Sequence, residues 1–265
     1  MAAPGFFDDL FERLAPARLL ADPRATGAGV AIAVIDSGVE RDLLTEKYAK
    51  LGTPITRIKG AVFRPGSPTA LPYDGKQSSP HGTIVADIIL SVAPRVTLYS
   101  ADVFGPQGTC EVETVIAALR HAIDVWKVKV VNLSLGVPEA RLSQLLRRQQ
   151  FQRAIEEAYF QDVLVFAAAH NDHPFTRSYP AAFAPPLISV NKGSFADPLG
   201  FAYHLSDTVE FQAYSTANLG FSREPATSWA TPHLAAIAAR LLSLKPDLKP
   251  FEVKTLLYWM SKGTG

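Results

Sequence analysis

Gly29-Val30-Ala31-Ile32-Ala33-Val34-Ile35 runs without a polar side chain until Asp36-Ser37-Gly38 breaks it. A strand with one wet face alternates apolar and polar residues. An unbroken run closed by a turn signal instead predicts a strand covered on both faces, as in a parallel sheet between two helical layers. Asp36 then stands at the C-terminal edge of that sheet, the edge at which open α/β sheets hold their ligands. Gly27 and Gly29 lie before the run. A dinucleotide-binding fingerprint needs its glycines after the strand, so that reading fails.

Outward from this strand, apolar runs alternate with segments of helical spacing. Residues 58–63 predict a strand, followed by a Pro/Gly/Ser-rich loop over 64–80, with no regular pattern elsewhere between 40 and 80. From His81, the residues Ile84, Val85, Ile88, Ile89 and Val92 mark one helix face, and 96–101 predict the next strand. Val112, Val115, Ile116, Leu119, Ile123 and Trp126 form another stripe before a strand over 128–133. A helix over roughly 142–159 leads into the apolar run 163–169. Short strands at 187–190 and 209–213 and a helix over 251–261 complete the pattern. The alternation predicts an α/β fold, a doubly wound and mainly parallel sheet flanked by helices.

The chain has 265 residues, 48% of them hydrophobic, enough for one such domain over 1–265 with no composition shift to mark a second. Phe7, Leu10, Phe11 and Leu14 make an amphipathic stripe, so 1–28 are read as an N-terminal helix and linker. Asp8, Asp9, Glu12 and Arg13 interrupt it, unlike the apolar core of a signal peptide. No run approaches the roughly 18 apolar residues of a membrane span, so no membrane partner is expected. A net charge of +1 without a basic stripe argues against nucleic acid. The single cysteine, Cys110, excludes an intrachain disulfide framework and fits a reducing compartment. It cannot build a Cys-rich metal site. His170 and His173 lack the further ligands zinc needs, so no metal is expected.

Near the C-terminus stands Ala226-Thr227-Ser228-Trp229-Ala230-Thr231-Pro232-His233-Leu234. Leu234, Ile237, Ala238, Leu241 and Leu242 recur at helical spacing, which puts Ser228 at or just inside the start of a buried helix. Backbone N–H groups there lack helical partners and point toward developing negative charge. Pro232 is read as a residue tolerated in that first turn. Ser228 alone is most simply an N-cap, but Asp36 and His81-Gly82-Thr83 precede it in the order Asp, His, Ser.

With these pieces the chain resembles the subtilisin-like serine proteases, the subtilases. The resemblance also takes in Asn132-Leu133-Ser134-Leu135-Gly136 and Ala168-Ala169-His170-Asn171, and runs from about residue 30 to the C-terminus. It implies an endopeptidase with Ser228 as nucleophile, His81 as base and Asp36 holding the imidazole, working through an acyl-enzyme. It implies an oxyanion hole from the Ser228 N–H and the Asn171 amide. Peptide would add as a strand along 104–109, which includes Phe104 and Gly105, and along Ser134, Leu135 and Gly136, with Ala169 and His170 on the wall of the pocket before the scissile bond. No cofactor is implied. Family members hold calcium in a loop after the histidine helix, but Val92-Ala93-Pro94 follows that helix at once, so no calcium site is expected.

The chain departs from the family pattern where Ala226, Trp229 and His170 replace Gly, Met and Gly. Ala226 would clash if its φ were positive. A catalytically impaired peptide-binding module on the same fold therefore stays open as an alternative. A phosphatase using Asp36 as nucleophile lacks a second carboxylate after Ser37-Gly38. Without a signal or propeptide in this sequence, the reading is a cytoplasmic enzyme processing particular proteins, restrained by a narrow pocket, an inhibitor or a regulatory protein partner.

Overall fold

The computed structural model describes all residues except 1–17, 19, 54, 56–57, 68, 106–107, 172–175, 207–208, 220–223 and 263–265. In chain order, β1 (Ala31–Asp36), α1 (Arg41–Lys50), β2 (Lys59–Val62) and β3 (Leu71–Pro72) precede α2 (Pro80–Val92), β4 (Thr97–Asp102), α3 (Val112–Asp124) and β5 (Val130–Leu133). Then come β6 (Val137–Pro138), α4 (Leu145–Phe160), β7 (Leu164–Ala168), β8 (Ser178–Tyr179), β9 (Ile188–Gly193), β10 (Phe201–Tyr203), β11 (Phe211–Tyr214), α5 (Thr227–Leu244) and α6 (Pro250–Lys262).

Nine strands form one sheet in the order β10-β11-β9-β7-β5-β1-β4-β2-β3. Its inner pairings are parallel, and β10 and β3 close the two edges antiparallel. The alternation of β1 explains its unbroken apolar sequence. Ile32 and Val34 enter one core with α1, α2, α5 and α6, while Ala33 and Ile35 enter the other with α3 and α4. Ile32 and Ile35 are fully buried. Each such side chain contributes roughly 1.5–3 kcal/mol relative to exposure.

β1 is flanked by β4 on one side and β5 on the other, in register from Asp36 opposite Asp102 back to Ala31 opposite Thr97. The chain builds outward one way through β4 and β2 and the other way through β5, β7 and β9. The strand order therefore reverses at β1, which opens a crevice beyond its C-terminal end. Asp36, the last residue of β1, lies at that crevice.

The α/β class and the mainly parallel sheet agree with the expectation, with most boundaries moved by one to three residues. Residues 40–80 are more regular than their sequence suggests. Helix α1 is mostly polar and buries only Leu44 and Tyr48, one turn apart, too narrow a stripe to read as periodicity. The loop expected over 64–80 contains β3, a two-residue edge strand. The amphipathic stripe Phe7 to Leu14 lies outside the described residues. Among those described, no helix is long and apolar enough to cross a membrane.

Candidate active site

At the end of β1, Asp36 is 1% exposed. Its Oδ1 accepts the Ser37 N–H at 2.7 Å, and the Ser37 hydroxyl lies 3.0 Å away. That hydroxyl also accepts the Gly82 N–H at 3.0 Å, joining β1 to the first turn of α2. The second residue of α2 is His81, whose Nδ1 is 2.9 Å from Asp36 Oδ1 and 3.0 Å from Oδ2. A carboxylate can only accept, so Nδ1 carries the proton and Nε2 is left as a base. Gly82 makes the approach possible: a Cβ there would run into the Gly38 carbonyl and stand 3.2 Å from Asp36 Oδ1. Gly38 has φ +81°, in the left-handed region, and its backbone passes against Gln77 just ahead of α2.

Burial pulls the His81 imidazole toward a lower pKa, but the charge of Asp36 and the hydrogen bond to it pull harder the other way, and the net shift is upward from 6.5. The helix that carries His81 is itself pinned. Buried Asp87 on α2 receives both hydrogens of a two-pronged contact from Lys47 at 2.6 and 2.7 Å, and the Tyr48 hydroxyl donates to the Asp87 carbonyl at 3.0 Å.

Helix α5 packs on the same face of the sheet as α2. It begins at Thr227, so Ser228 is its second residue. The Ala226 backbone has φ −138° and ψ 150°, extended geometry that any residue adopts, and its Cβ carries no penalty. Pro232 lies beyond the first turn, contrary to the expectation. Proline cannot donate to the carbonyl four residues back, which is that of Ser228. Ser134 Oγ fills the gap by donating to the Ser228 carbonyl at 2.9 Å, and is held in turn by Asn132 Nδ2 at 2.9 Å. The Ser228 hydroxyl donates back to the Ser134 carbonyl at 3.1 Å. Among the described residues no hydrogen bond joins it to His81. Trp229, next to Ser228 in the chain, has its ring centroid 5.0 Å from that of His81.

Asn171 lies three residues past β7, exposed at the rim. Its Oδ1 accepts the Thr227 N–H at 2.8 Å and the Thr227 hydroxyl at 3.1 Å. With the oxygen committed to two donors at the start of α5, the Nδ2 amide is left to donate elsewhere. Residue types alone did not single out Thr227 for this task.

Ser134, Leu135 and Gly136 follow β5 directly, and Ala169 and His170 follow β7, so these residues share the C-terminal edge of the sheet with Asp36. Phe104 and Gly105 follow β4 at the same edge. The Phe104 N–H bonds Asp102 Oδ1 at 3.1 Å, and the Gly105 N–H bonds the Thr109 carbonyl at 2.9 Å. Asp102 was not anticipated. It is 3% exposed and receives Arg64 Nη2 at 3.0 Å and the Ser78 hydroxyl at 2.5 Å. An acidic residue ending a second buried strand, as Asp36 ends the first, was the available signal. Burial, with the charges of Asp36, Asp102 and Glu111, pushes the Cys110 thiol up to about 12, so it stays protonated and weakly nucleophilic. His173 lies outside the described residues, among which no group of three or more His, Cys, Asp or Glu converges as for a metal.

A family model described as the subtilase family matches residues 27–200 and 200–264. The chain is 29% identical over 257 residues to M-protease of Shouchella clausii (strain KSM-K16), covering 91% of this chain and 61% of that protein. It is 29% identical over 249 residues to Subtilisin Savinase of Lederbergia lenta, covering 88% and 83%. Among solved structures, a lanthipeptide protease superposes with a TM-score of 0.66 at 20% identity, covering 95% of this chain and 87% of that one. The chain thus spans about three fifths of M-protease. With the parallel sheet, the crevice at β1 and a family match reaching from residue 27 to 264, the chain belongs to the subtilase family.

Proposed function

We propose that this chain is a serine endopeptidase whose triad is Asp36, His81 and Ser228. The observation that carries the reading is the grip of both Asp36 oxygens on His81 Nδ1, at 2.9 and 3.0 Å, beside the start of the helix that holds Ser228. Rotation of Ser228 about χ1 turns its hydroxyl from the Ser134 carbonyl toward His81 Nε2. The oxygen attacks the peptide carbonyl, Nε2 takes its proton, and Asp36 stabilises the imidazolium. The proton then passes to the leaving amine, and water repeats the sequence on the acyl-enzyme. Negative charge on the tetrahedral oxygen meets the Ser228 N–H and Asn171 Nδ2. Each step uses the chain's own groups and water.

Peptide adds as a strand at Phe104 and Gly105 on one side and Ser134, Leu135 and Gly136 on the other, with Ala169 and His170 beside the residue before the scissile bond. The reading includes limited processing of protein substrates under a regulatory partner, in a cytoplasmic setting that suits a chain with a single cysteine.

A fluorophosphonate probe tests the chemistry. Wild type is labelled at neutral pH, and Ser228→Ala and His81→Ala lose turnover on the order of 10⁶, by analogy with a subtilisin series. Labelling that survives Ser228→Ala, or is absent from wild type, overturns the proposal. Incubation with casein tests selectivity, since broad digestion contradicts limited processing.

A further inference from the structure

The His81 imidazole is touched on three sides: by Asp36 at its Nδ1 edge, by the helix that carries it, and by the Trp229 indole, at 5.0 Å between centroids and 35° between planes. That distance and tilt put the imidazole partly over the indole face, within the range at which an aromatic ring attracts a cation. Trp229 is 8% exposed while the His81 side chain keeps 35% of its surface open, so the indole is the fixed partner and the imidazole the movable one.

We propose that Trp229 is a positioning residue for His81, its indole face confining the imidazole against Asp36 and stabilising the imidazolium that forms when Ser228 gives up its proton. This rests on the triad reading above. The attraction is differential, because a neutral imidazole gains little from the ring quadrupole and an imidazolium gains much. It therefore acts most strongly where charge develops. Of the other charged and titratable groups near this contact, His233 on α5 bonds the Trp229 carbonyl at 2.7 Å and burial lowers its pKa to about 4. Asp36 faces His81 from β1, and Cys110, near Asp36, stays protonated. Asp102 is held by Arg64 and Ser78, Asp87 on α2 by Lys47, and Lys76 ahead of α2 pairs with Glu40.

Burial alone makes the opposite prediction. A residue that merely excludes water from His81 disfavours the imidazolium, so its loss raises the pKa; a residue that attracts the imidazolium leaves a lower pKa when lost. Trp229→Leu keeps an apolar cover and removes the ring, and separates the two.

The experiment follows the rate of fluorophosphonate labelling with pH in wild type, W229L and W229F. In W229L the midpoint moves down by roughly half a unit to one unit, and the limiting labelling rate falls about 3–10-fold, while the probe's half-saturating concentration stays within about twofold. W229F recovers part of both, since phenylalanine offers a weaker face. A midpoint that stays or rises, or a loss confined to probe binding, overturns the proposal. If W229L does not fold, NMR titration of the His81 imidazole in wild type and W229F reads the same downward shift, and its absence is equally decisive. Wild type that takes up no probe at any pH refutes the triad reading itself, whereas labelled wild type with an identical W229L profile refutes the role of Trp229 alone.

Discussion

Asp36→Asn is the sharpest perturbation of the site, because the surrounding donors dictate how the new amide must sit. Asp36 Oδ1 accepts the rigid Ser37 backbone N–H at 2.7 Å, so the asparagine must keep its oxygen there, 2.9 Å from His81 Nδ1, and place its NH₂ where Oδ2 stood, 3.0 Å from the same nitrogen. A donor now competes with that oxygen for Nδ1. The imidazole answers by moving its proton to Nε2, which turns the base into a donor toward Ser228. The charge that helps hold the His81 pKa above 6.5 is lost and its hydrogen bond weakened, while the burial that lowers it remains. Wild-type labelling by a fluorophosphonate therefore rises with pH through a midpoint above 6.5. Asp36→Asn loses on the order of 10⁴ in rate, about 5.5 kcal/mol of transition-state stabilisation, the size seen when a triad is left in the wrong tautomer. What remains of its pH dependence shifts downward. A variant labelled within tenfold of wild type refutes the assignment of Asp36 as the group that holds the base.

Asn171→Ala removes the side-chain donor from the proposed oxyanion site and lowers kcat on a peptide substrate by about 10²–10³, read from initial rates. Thr227→Val cuts one of the two anchors on Asn171 Oδ1, the 3.1 Å hydroxyl bond, and lowers kcat about tenfold, one lost hydrogen bond's worth, with KM little changed. Gly82→Ala drives a Cβ into the Gly38 carbonyl and toward Asp36, so labelling falls and the thermal midpoint drops, measured by calorimetry. His233 is buried and lowered to about 4 by desolvation, against the upward pull of its hydrogen bond to the Trp229 carbonyl. The unfolded chain takes that proton near pH 6.5 and the folded chain does not, so stability falls as pH drops from 6.5 toward 4, by about 3 kcal/mol. Urea midpoints of wild type and His233→Gln at pH near 7 and 4.5 give that difference, and an equal acid loss in both refutes it.

The layers of the fold were legible because their strands are apolar on both faces. Ile32, Val34, Ala33 and Ile35 divide between two cores, and a sequence with no polar break is the direct record of that division. Helix α1 was illegible because it contributes two side chains, Leu44 and Tyr48, and gains its place through Lys47 on Asp87, a contact between residues far apart in sequence. The principal site residues stood out because each ends a strand or begins a helix. Their supports did not. Ser37, Thr227 and Ser134 are polar residues of ordinary type, and what makes them matter is a partner on another element: Gly82, Asn171 and Ser228.

Pro232 shows how such a support arises. Read locally, a proline six positions into a helix is a defect that strips one carbonyl of its donor. That carbonyl belongs to Ser228, and an unpaired carbonyl at a buried helix start costs about 1–3 kcal/mol unless something else reaches it. Ser134 reaches it, and in doing so ties the end of β5 to the residue proposed as nucleophile. Because Asn132 fixes the Ser134 hydroxyl from the strand itself, the serine backbone is referenced to the sheet that carries Asp36 rather than to its own helix alone. The break in the helix thus couples the two halves of the candidate site. Ser134→Ala, which leaves that carbonyl without a donor, accordingly lowers both the unfolding midpoint and the labelling rate. Loss of stability with labelling unchanged would leave Ser134 a purely structural residue.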